Sequence, residues 1–365
     1  MNLKTQGFIL LDVDVVALNN AGKSSSSNFD NAVATKKLYK NGKTYTYVSG
    51  QAWRYWWRET LKNDFGWIMS PIIKVDDKNQ TFTACNPAKY PDDDVFGYMK
   101  ALKDLKRDGD GNPILNKKGK EETENVSATR VSPLKNSVIV SVSSTSTEEH
   151  SSSMTRHEGN PVLYSKMEYS AIMKGMFSID LNQVGLFSSY NKTGFKNLSD
   201  ELKSEYISQD LVKEIDDPYV KTKSGEPQKL VQLEKSVREK RIVETISALK
   251  TISGGAMQTN NMADVTPKFI ILATTTSGNH PFSHIAVGEG QKSERALLNI
   301  EGLKEVLNDY KEQIKGTVYI GKRSGFMDEC NDSLKALEAE FENVKVLTIN
   351  QAVDQYCEQV KTQLP

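Results

Sequence analysis

Cysteine is scarce in this chain of 365 residues: Cys85, Cys330 and Cys357 are odd in number, far apart and in no C-x-x-C arrangement. The pattern argues against a disulfide framework and a structural zinc site and for a reducing compartment, so a cytoplasmic protein is expected. Histidine is nearly as sparse, with four copies. His280 and His284 flank a proline in NHPFSH, but no cysteine or repeated carboxylate stands near them, and neither a metal nor another cofactor is expected. Long apolar runs are missing too. No stretch approaches the ~18 apolar residues of a membrane span, and the opening MNLKTQGFILLDVDVV alternates too early for a signal peptide. Neither sign of charge is in excess, since Lys+Arg and Asp+Glu both number 47. A polyanion must therefore be met by a local patch and not by the field of the whole molecule. There is no G-x-S-x-G, Walker loop, dinucleotide fingerprint or zinc-protease motif, and no catalytic residue is assigned.

What the chain does have is concentrated between Val48 and Leu61, VSGQAWRYWWRETL, which holds three of the four tryptophans. Ser49 suits an N-cap, and Trp53, Trp56, Trp57, Thr60 and Leu61 recur at the spacing of one buried helix face. Arg54 and Arg58 fall four apart on another side. From Thr35 to Lys62 there are seven Lys/Arg and one acid. A helix whose N-terminus and arginines converge is suited to a phosphate. The competing reading is an amphipathic helix with a tryptophan core and a solvated basic face.

The remaining elements follow from periodicity. Ile9, Leu11, Val13, Val15 and Ala17 alternate with Asp12 and Asp14, which predicts a half-buried strand with the acids on its solvated face. Residues 18–30 form an Asn/Gly/Ser-rich loop, and residues 44–48 add a short strand before Ser49. From Asn63 to about Pro133 turn signals replace periodicity and predict an inserted lobe; its DGDGN run lacks the later ligands of a calcium loop and reads as a turn. Ser137–Val142 is a strand, and Ser170–Leu181 is another with Ala171, Met173, Gly175, Phe177, Ile179 and Leu181 on one face. The polar segment between them is too long for a tight turn and predicts a protruding arm or a serine-rich loop. A polar stretch from Tyr190 to Glu226 leads to a helix over Lys229–Ile252 that stops at Gly254-Gly255, which read as a C-terminal cap or a close approach to phosphate. Lys268–Thr275 is a buried central strand. The order β-α-β-β-α-β is the split βαβ, or ferredoxin-like, motif of an α+β fold. The C-terminal part adds a helix through Ile300, Leu303, Leu307, Tyr310 and Ile314, a strand at 317–320, a helix at 334–341, a strand at 344–349 and a last helix. Its final segment carries eight acids against three lysines from Asp328 onward and should avoid nucleic acid.

In this order LNNAG (18–22), SGQAWRYWWRETL (49–61), RVSPL (130–134), GMFSIDL (175–181) and GGAMQ (254–258) before PKFIILA (267–273) resemble the DevR family of CRISPR-associated proteins, the Cas-seven-type backbone subunits of type I-B Cascade. The likeness covers residues 7–285. It implies an RRM-like palm from residues 1–62, 134–142 and 166–285, a finger lobe at 63–133, a thumb arm at 143–165, and a C-terminal α/β extension over 286–365 packed on the palm. It further implies an antiviral, non-catalytic subunit that polymerises along a CRISPR guide RNA and presents it to target DNA. Its partners would be copies of itself and the handle-binding, large, small and guide-processing endonuclease subunits of Cascade. Residues expected to grip the guide are Asn19, Asn20 and Lys23 of the first loop, Ser49, Gly50, Gln51, Arg54 and Arg58 of the helix, and Gly254 and Gly255 of the turn. Two alternatives stand beside this: cleavage of target RNA, as in type III backbone subunits, for which Asp30 is the acid available after the first strand, and a regulatory protein that acts without guide RNA.

Overall fold

The computed structural model describes residues 2–23, 32–75, 80–101, 103–105, 113–116, 119–125, 127–154, 158, 162–192, 194–289 and 295–364. Two units are present: one made of Met1–Phe65, Lys135–Ile179 and Val243–Gln363, the other of Gly66–Leu134, Asp180–Ile242 and Leu364–Pro365.

The first unit is built on a twelve-stranded sheet. Its main elements are β1 (Lys4–Val16), β2 (Lys37–Lys40), β3 (Lys43–Val48), α1 (Gly50–Phe65), β4 (Ile139–Ser141), β5 (Glu148–Met154), β6 (Val162–Asp180), the end of α2 (Lys235–Ser247) from Val243 onward, β7 (Phe269–Thr275), α3 (Ile300–Asp309), β8 (Val318–Lys322), α4 (Asn331–Glu340), β9 (Val344–Leu347) and α5 (Ile349–Gln363). The strand order is β9-β8-β7-β1-β6-β4-β3-β2; β1, α1, β4, β6, α2 and β7 follow one another along the chain, and their strands stand in the order β7-β1-β6-β4. β7 pairs β1 antiparallel from Lys4↔Thr275 to Leu10↔Phe269, and β8 and β9 extend the same sheet beyond β7.

The sheet has two covered faces, which explains why all seven residues of β7 are buried. On one face Met173, Gly175, Phe177 and Ile179 of β6 alternate inward as the period-2 pattern requires. Trp53 and Trp57 of α1 stack at 5.5 Å, and Trp57 meets the Phe177 ring edge-on at 5.2 Å. A Cβ on Gly175 would lie 3.1 Å from Trp53, so glycine lets the indole settle on the strand. On the other face Phe8, Leu10, Phe269 and Ile271 pack with Phe282, Ile285, Leu303 and Leu307 from the C-terminal part.

Several sequence expectations need correction. Val15 does not face inward: it is 54% exposed, with φ 47°, and the β1 alternation breaks there. Residues Phe8 to Leu11 are all buried because both sides of β1 are covered. Leu230 and Leu233 belong to a strand, Pro227–Leu233, paired with Val212–Lys221, and the helix begins only at Lys235. An apolar pair three residues apart fits either structure; here the adjacent Val231 is buried too, against Phe187 and Tyr206, and fixes the extended form. The stretch from Tyr190 to Glu226, read as polar and irregular, contains that partner strand and a helix, Asp200–Ser208, capped by Ser199. The serine-rich segment is a β-hairpin, with β5 paired to the first half of β6 from Glu148↔Glu168 to Met154↔Val162. Among the described residues no helix is long and apolar enough to cross a membrane.

Among its described residues the second unit holds three two-stranded ladders, a three-stranded sheet and the helices Pro91–Phe96 and Asp200–Ser208. Asp94 on that helix is fully buried and accepts hydrogen bonds from Arg130, from Arg241 at 2.6 Å and from the Gly185 amide at 3.0 Å. Arg130, the first residue of RVSPL, also lies 4.4 Å over the Phe187 ring. Removing one partner from such a cluster leaves buried charge uncompensated, at a cost of about 3–5 kcal/mol. Asp94→Ala is therefore expected to lower the free energy of unfolding by that amount, measured by urea denaturation, and an unchanged value would show that water or rearranged side chains satisfy both guanidiniums.

Candidate nucleic-acid interface

The start of α1 is held from two sides. Ser49 caps the helix, its Oγ accepting from the Ala52 amide at 3.3 Å, while its own amide donates to Asn19 Oδ1 at 2.8 Å. Asn19 thus joins the first loop to the helix start, and its carbonyl accepts from Lys36 N at 3.2 Å. Among the described residues the Gly50 and Gln51 amides have no acceptor, as the first donors of a helix generally lack one. They carry the positive end of a sixteen-residue helix dipole.

Arg54 folds back toward this end. Its Nη1 donates to Asn136 Oδ1 at 3.1 Å, and Asn136 Nδ2 donates in turn to the Gly50 carbonyl at 3.1 Å and to Ser137 O at 3.0 Å. Burial, followed by the neighbouring Arg58 charge, brings the Arg54 pKa down to about 10, so two cations crowd each other at this site. Asn136 was not anticipated; an asparagine just before a strand carries no sequence signal that separates it from an ordinary turn residue. The hairpin of β2 and β3 was also missed, although Asn41-Gly42 between two strands is a strong signal for a tight turn, and both residues have the positive φ (52° and 73°) that such a turn needs. That hairpin carries Lys37, Lys40 and Lys43 of the basic stretch.

Gly254 and Gly255 do not cap a helix, since α2 ends at Ser247 and a single 3₁₀ turn ends at Lys250. They lie against α1 and the first loop instead. A Cβ on Gly254 would fall 2.1 Å from Trp56 Cγ, and Gly255, at φ 115°, is 2.9 Å from Leu18 Cδ2 by the same construction. The Ser253 amide donates to Thr60 Oγ1 at 3.2 Å and the Ala256 amide to the Leu18 carbonyl at 3.0 Å. Both glycines are thus explained by packing. Asn19, Ser49, Gly50, Arg54, Gly254 and Gly255 form one connected neighbourhood.

Asn20 and Gln51 are exposed, and Asn20 opens a strand, Asn20–Lys23, paired with Ala32–Thr35. Lys23 ends that strand opposite Val33. Asp30 and the DGDGN run lie outside the described residues. Asp12 and Asp14 are exposed, with Asp14 accepting from Ser170 Oγ at 2.5 Å. Lys174 of β6 donates to the carbonyls of Ser283 at 3.1 Å and Ala286 at 3.3 Å, and burial lowers its pKa. His280 Nε2 sits 2.9 Å from the Gly7 carbonyl.

A family model described as "CRISPR-associated negative auto-regulator DevR/Csa2" matches residues 10–294. The chain belongs to the DevR/Csa2 family of CRISPR-associated proteins. The motifs from LNNAG to PKFIILA all fall within the matched span. No curated protein is significantly similar in sequence. Among solved structures, a chain of a "CRISPR RNA-guided surveillance complex" superposes with TM-score 0.50 at 9% identity, covering 98% of this chain and 99% of its own length. A chain of a "CRISPR RNA-guided surveillance complex, pre-nicking" gives 0.49 at 9% identity, over 98% of this chain and all of its own. At such identity the likeness concerns the fold.

The glycine turn of this DevR/Csa2 protein offers a packing test. Gly254→Ala drives a methyl group into Trp56, and overpacking of this kind costs about 1–3 kcal/mol. Thermal unfolding should register the loss, whereas a melting temperature equal to that of the parent would mean the turn can retreat from α1.

Proposed function

We propose that this DevR/Csa2 protein is a non-catalytic, guide-RNA-binding backbone subunit of a type I Cascade effector, in which copies polymerise along the guide and present it for pairing with target DNA. The observation that carries the reading is the convergence, among the described residues, of the unpaired Gly50 and Gln51 amides, Arg54 and the Asn19 loop at the start of α1, with the Arg58 charge one turn further along. That arrangement suits a sugar-phosphate backbone and reads no sequence. Specificity is left to base pairing. The strand order β7-β1-β6-β4 supports reading the first unit as a ferredoxin-like, RRM-like palm. On this reading residues 63–133 are the finger, the β5/β6 hairpin is the thumb, and the part beyond residue 285 is an extension on the palm. The name of the similar surveillance-complex chain fits this role, and membership of the CRISPR-associated family supports it.

Replacing both Arg54 and Arg58 with Ala should weaken guide binding with the fold retained. Because each phosphate contact to a single strand contributes about 0.7 to the log-log salt slope, the slope should fall by roughly 1.4. Unchanged slope and affinity would reduce α1 to an amphipathic helix with a solvated basic face. The description of the family as an auto-regulator supports a second reading, regulation without guide RNA. Copurification separates the two: a protein that carries no RNA and stays monomeric with guide present favours the regulator.

The hairpin gives an independent test of assembly. Residues 150–166 can be replaced by Asn-Gly, which closes the ladder across Glu149↔Met167. Exposed Val162 and Leu163 are lost with it, and little core is removed. The shortened protein should unfold near the parent's temperature, bind short RNA weakly and fail to coat a long guide cooperatively. Full-length guide complexes identical to those of the parent would make the hairpin a passive loop.

A further inference from the structure

A cavity of about 310 Å³ opens beside the start of β1, lined among others by Lys4, Gln6, Lys135, Asn136, Ser178 and His280. None of its lining residues is acidic, and among the described residues neither Lys4 nor Lys135 has an ion-pair partner. Gln6 is 1% exposed, and its carboxamide is only half satisfied: Nε2 lies 3.4 Å from the Asn279 carbonyl, while Oε1 has no donor. A buried acceptor without a donor costs free energy that a ligand hydroxyl can recover. The terminal torsion of a glutamine is broad, and the one hydrogen bond this amide makes is long at 3.4 Å, so the amide can turn toward an occupant at the loss of that single weak contact. Asn136 links the cavity to the helix start, since the same side chain holds the Gly50 carbonyl and Arg54.

We propose that this cavity takes one ribonucleotide of a bound RNA strand, its ribose 2′-hydroxyl donating to Gln6 Oε1 and its adjoining phosphate meeting Lys4 and Lys135. The inference rests on the guide-binding reading and adds to it a residue that distinguishes RNA from DNA. A 2′-hydroxyl is present on every ribonucleotide and absent from DNA, so this recognition is compatible with a grip that reads no sequence. Two lysines without acids supply charge for the phosphate, and the neutral amide supplies the chemical choice.

The test compares binding of the full chain to one single-stranded sequence as RNA, as 2′-fluoro RNA and as DNA. Fluorine keeps the ribose-like sugar shape but cannot donate a hydrogen bond. The parent should prefer RNA to the 2′-fluoro strand by about 5- to 10-fold, the effect of one hydrogen bond. Gln6→Met, close in shape and without the acceptor, should narrow that ratio toward one. Lys135→Gln, an exposed change, should lower the log-log salt slope by about 0.7 and leave the ratio intact. A parent that binds RNA and 2′-fluoro RNA equally, or a Gln6→Met protein that keeps the parent's ratio, overturns the inference while guide binding stands. A parent that binds no RNA overturns the guide-binding reading and this inference together.

Discussion

The seating of α1 on β6 is the contact on which the rest of the first unit depends. Gly175 has no side chain, so Trp53 settles onto the strand while Phe177, two residues on, meets the stacked pair Trp53 and Trp57 edge-on. Each large aromatic buries on the order of 150–250 Å², and a buried indole must also find a partner for its N–H. Trp57 Nε1 finds the Thr245 carbonyl on α2 at 2.7 Å. Apolar area thus sets which face of α1 looks inward, and the single hydrogen bond sets its position along α2. A helix fixed in rotation and translation has a fixed N-terminus and a fixed pair of flanking arginines. The polar neighbourhood around Ser49 is therefore a consequence of packing on the opposite side of the same helix.

That neighbourhood is electrostatically costly. Burial and the Arg58 charge both oppose the charged form of Arg54 and bring its pKa down to about 10. At neutral pH Arg54 is charged in the folded and unfolded chain alike, so the folded state bears the whole penalty. As pH rises above about 10, the folded chain gives up this proton before the unfolded one does, and the penalty is progressively lost. A bound phosphate relieves the same penalty at neutral pH by supplying the missing negative charge. Crowded cations held by a rigid aromatic core are a pre-organised arrangement, because the cost of bringing them together is met in folding and not at the moment of binding.

Much of this was legible in residue order. The 3.6 period around Trp53, Trp56 and Trp57 and the alternation from Met173 to Ile179 each record one buried face, and burial on one face is what periodicity encodes. Where burial is two-sided the code weakens, as at Phe8 to Leu11, whose opposite cover comes from Phe282, Ile285 and Leu303, nearly three hundred positions away in the chain. The Leu230 and Leu233 pair misleads for a different reason: a spacing of three fits a helix face, and the extended form is decided by pairing with the strand at Val212 and by burial of Val231 against Phe187 and Tyr206. At the site, the capping chemistry of Ser49 was readable because a cap is local. Asn136 was not, since its role depends on meeting Gly50 and Arg54 across more than eighty residues. Gly254 was assigned a local role that its contact with Trp56 replaces, so a glycine's reason is hard to read where the neighbour that excludes a Cβ is remote.

The two-sided cover of the sheet also limits how this fold can meet a nucleic acid. A sheet that reads bases does so by stacking them on aromatic side chains of an open face. Here the face that carries Lys174 and Met176 lies beneath Phe282, Ile285, Ala286 and Ala296, and Lys174 spends its ammonium on the carbonyls of Ser283 and Ala286. The other face is filled by the tryptophans of α1. What stays accessible in the candidate site is backbone and short polar side chains at the ends of elements: the helix-start amides at Gly50 and Gln51, the exposed Asn20 and the Gly254-Gly255 turn. Groups of that kind offer hydrogen bonds to phosphate and sugar oxygens and no flat surface for a base. A chain that closes both faces of its sheet therefore gives up base stacking on that sheet and leaves groups suited to the part of a strand that is the same at every nucleotide.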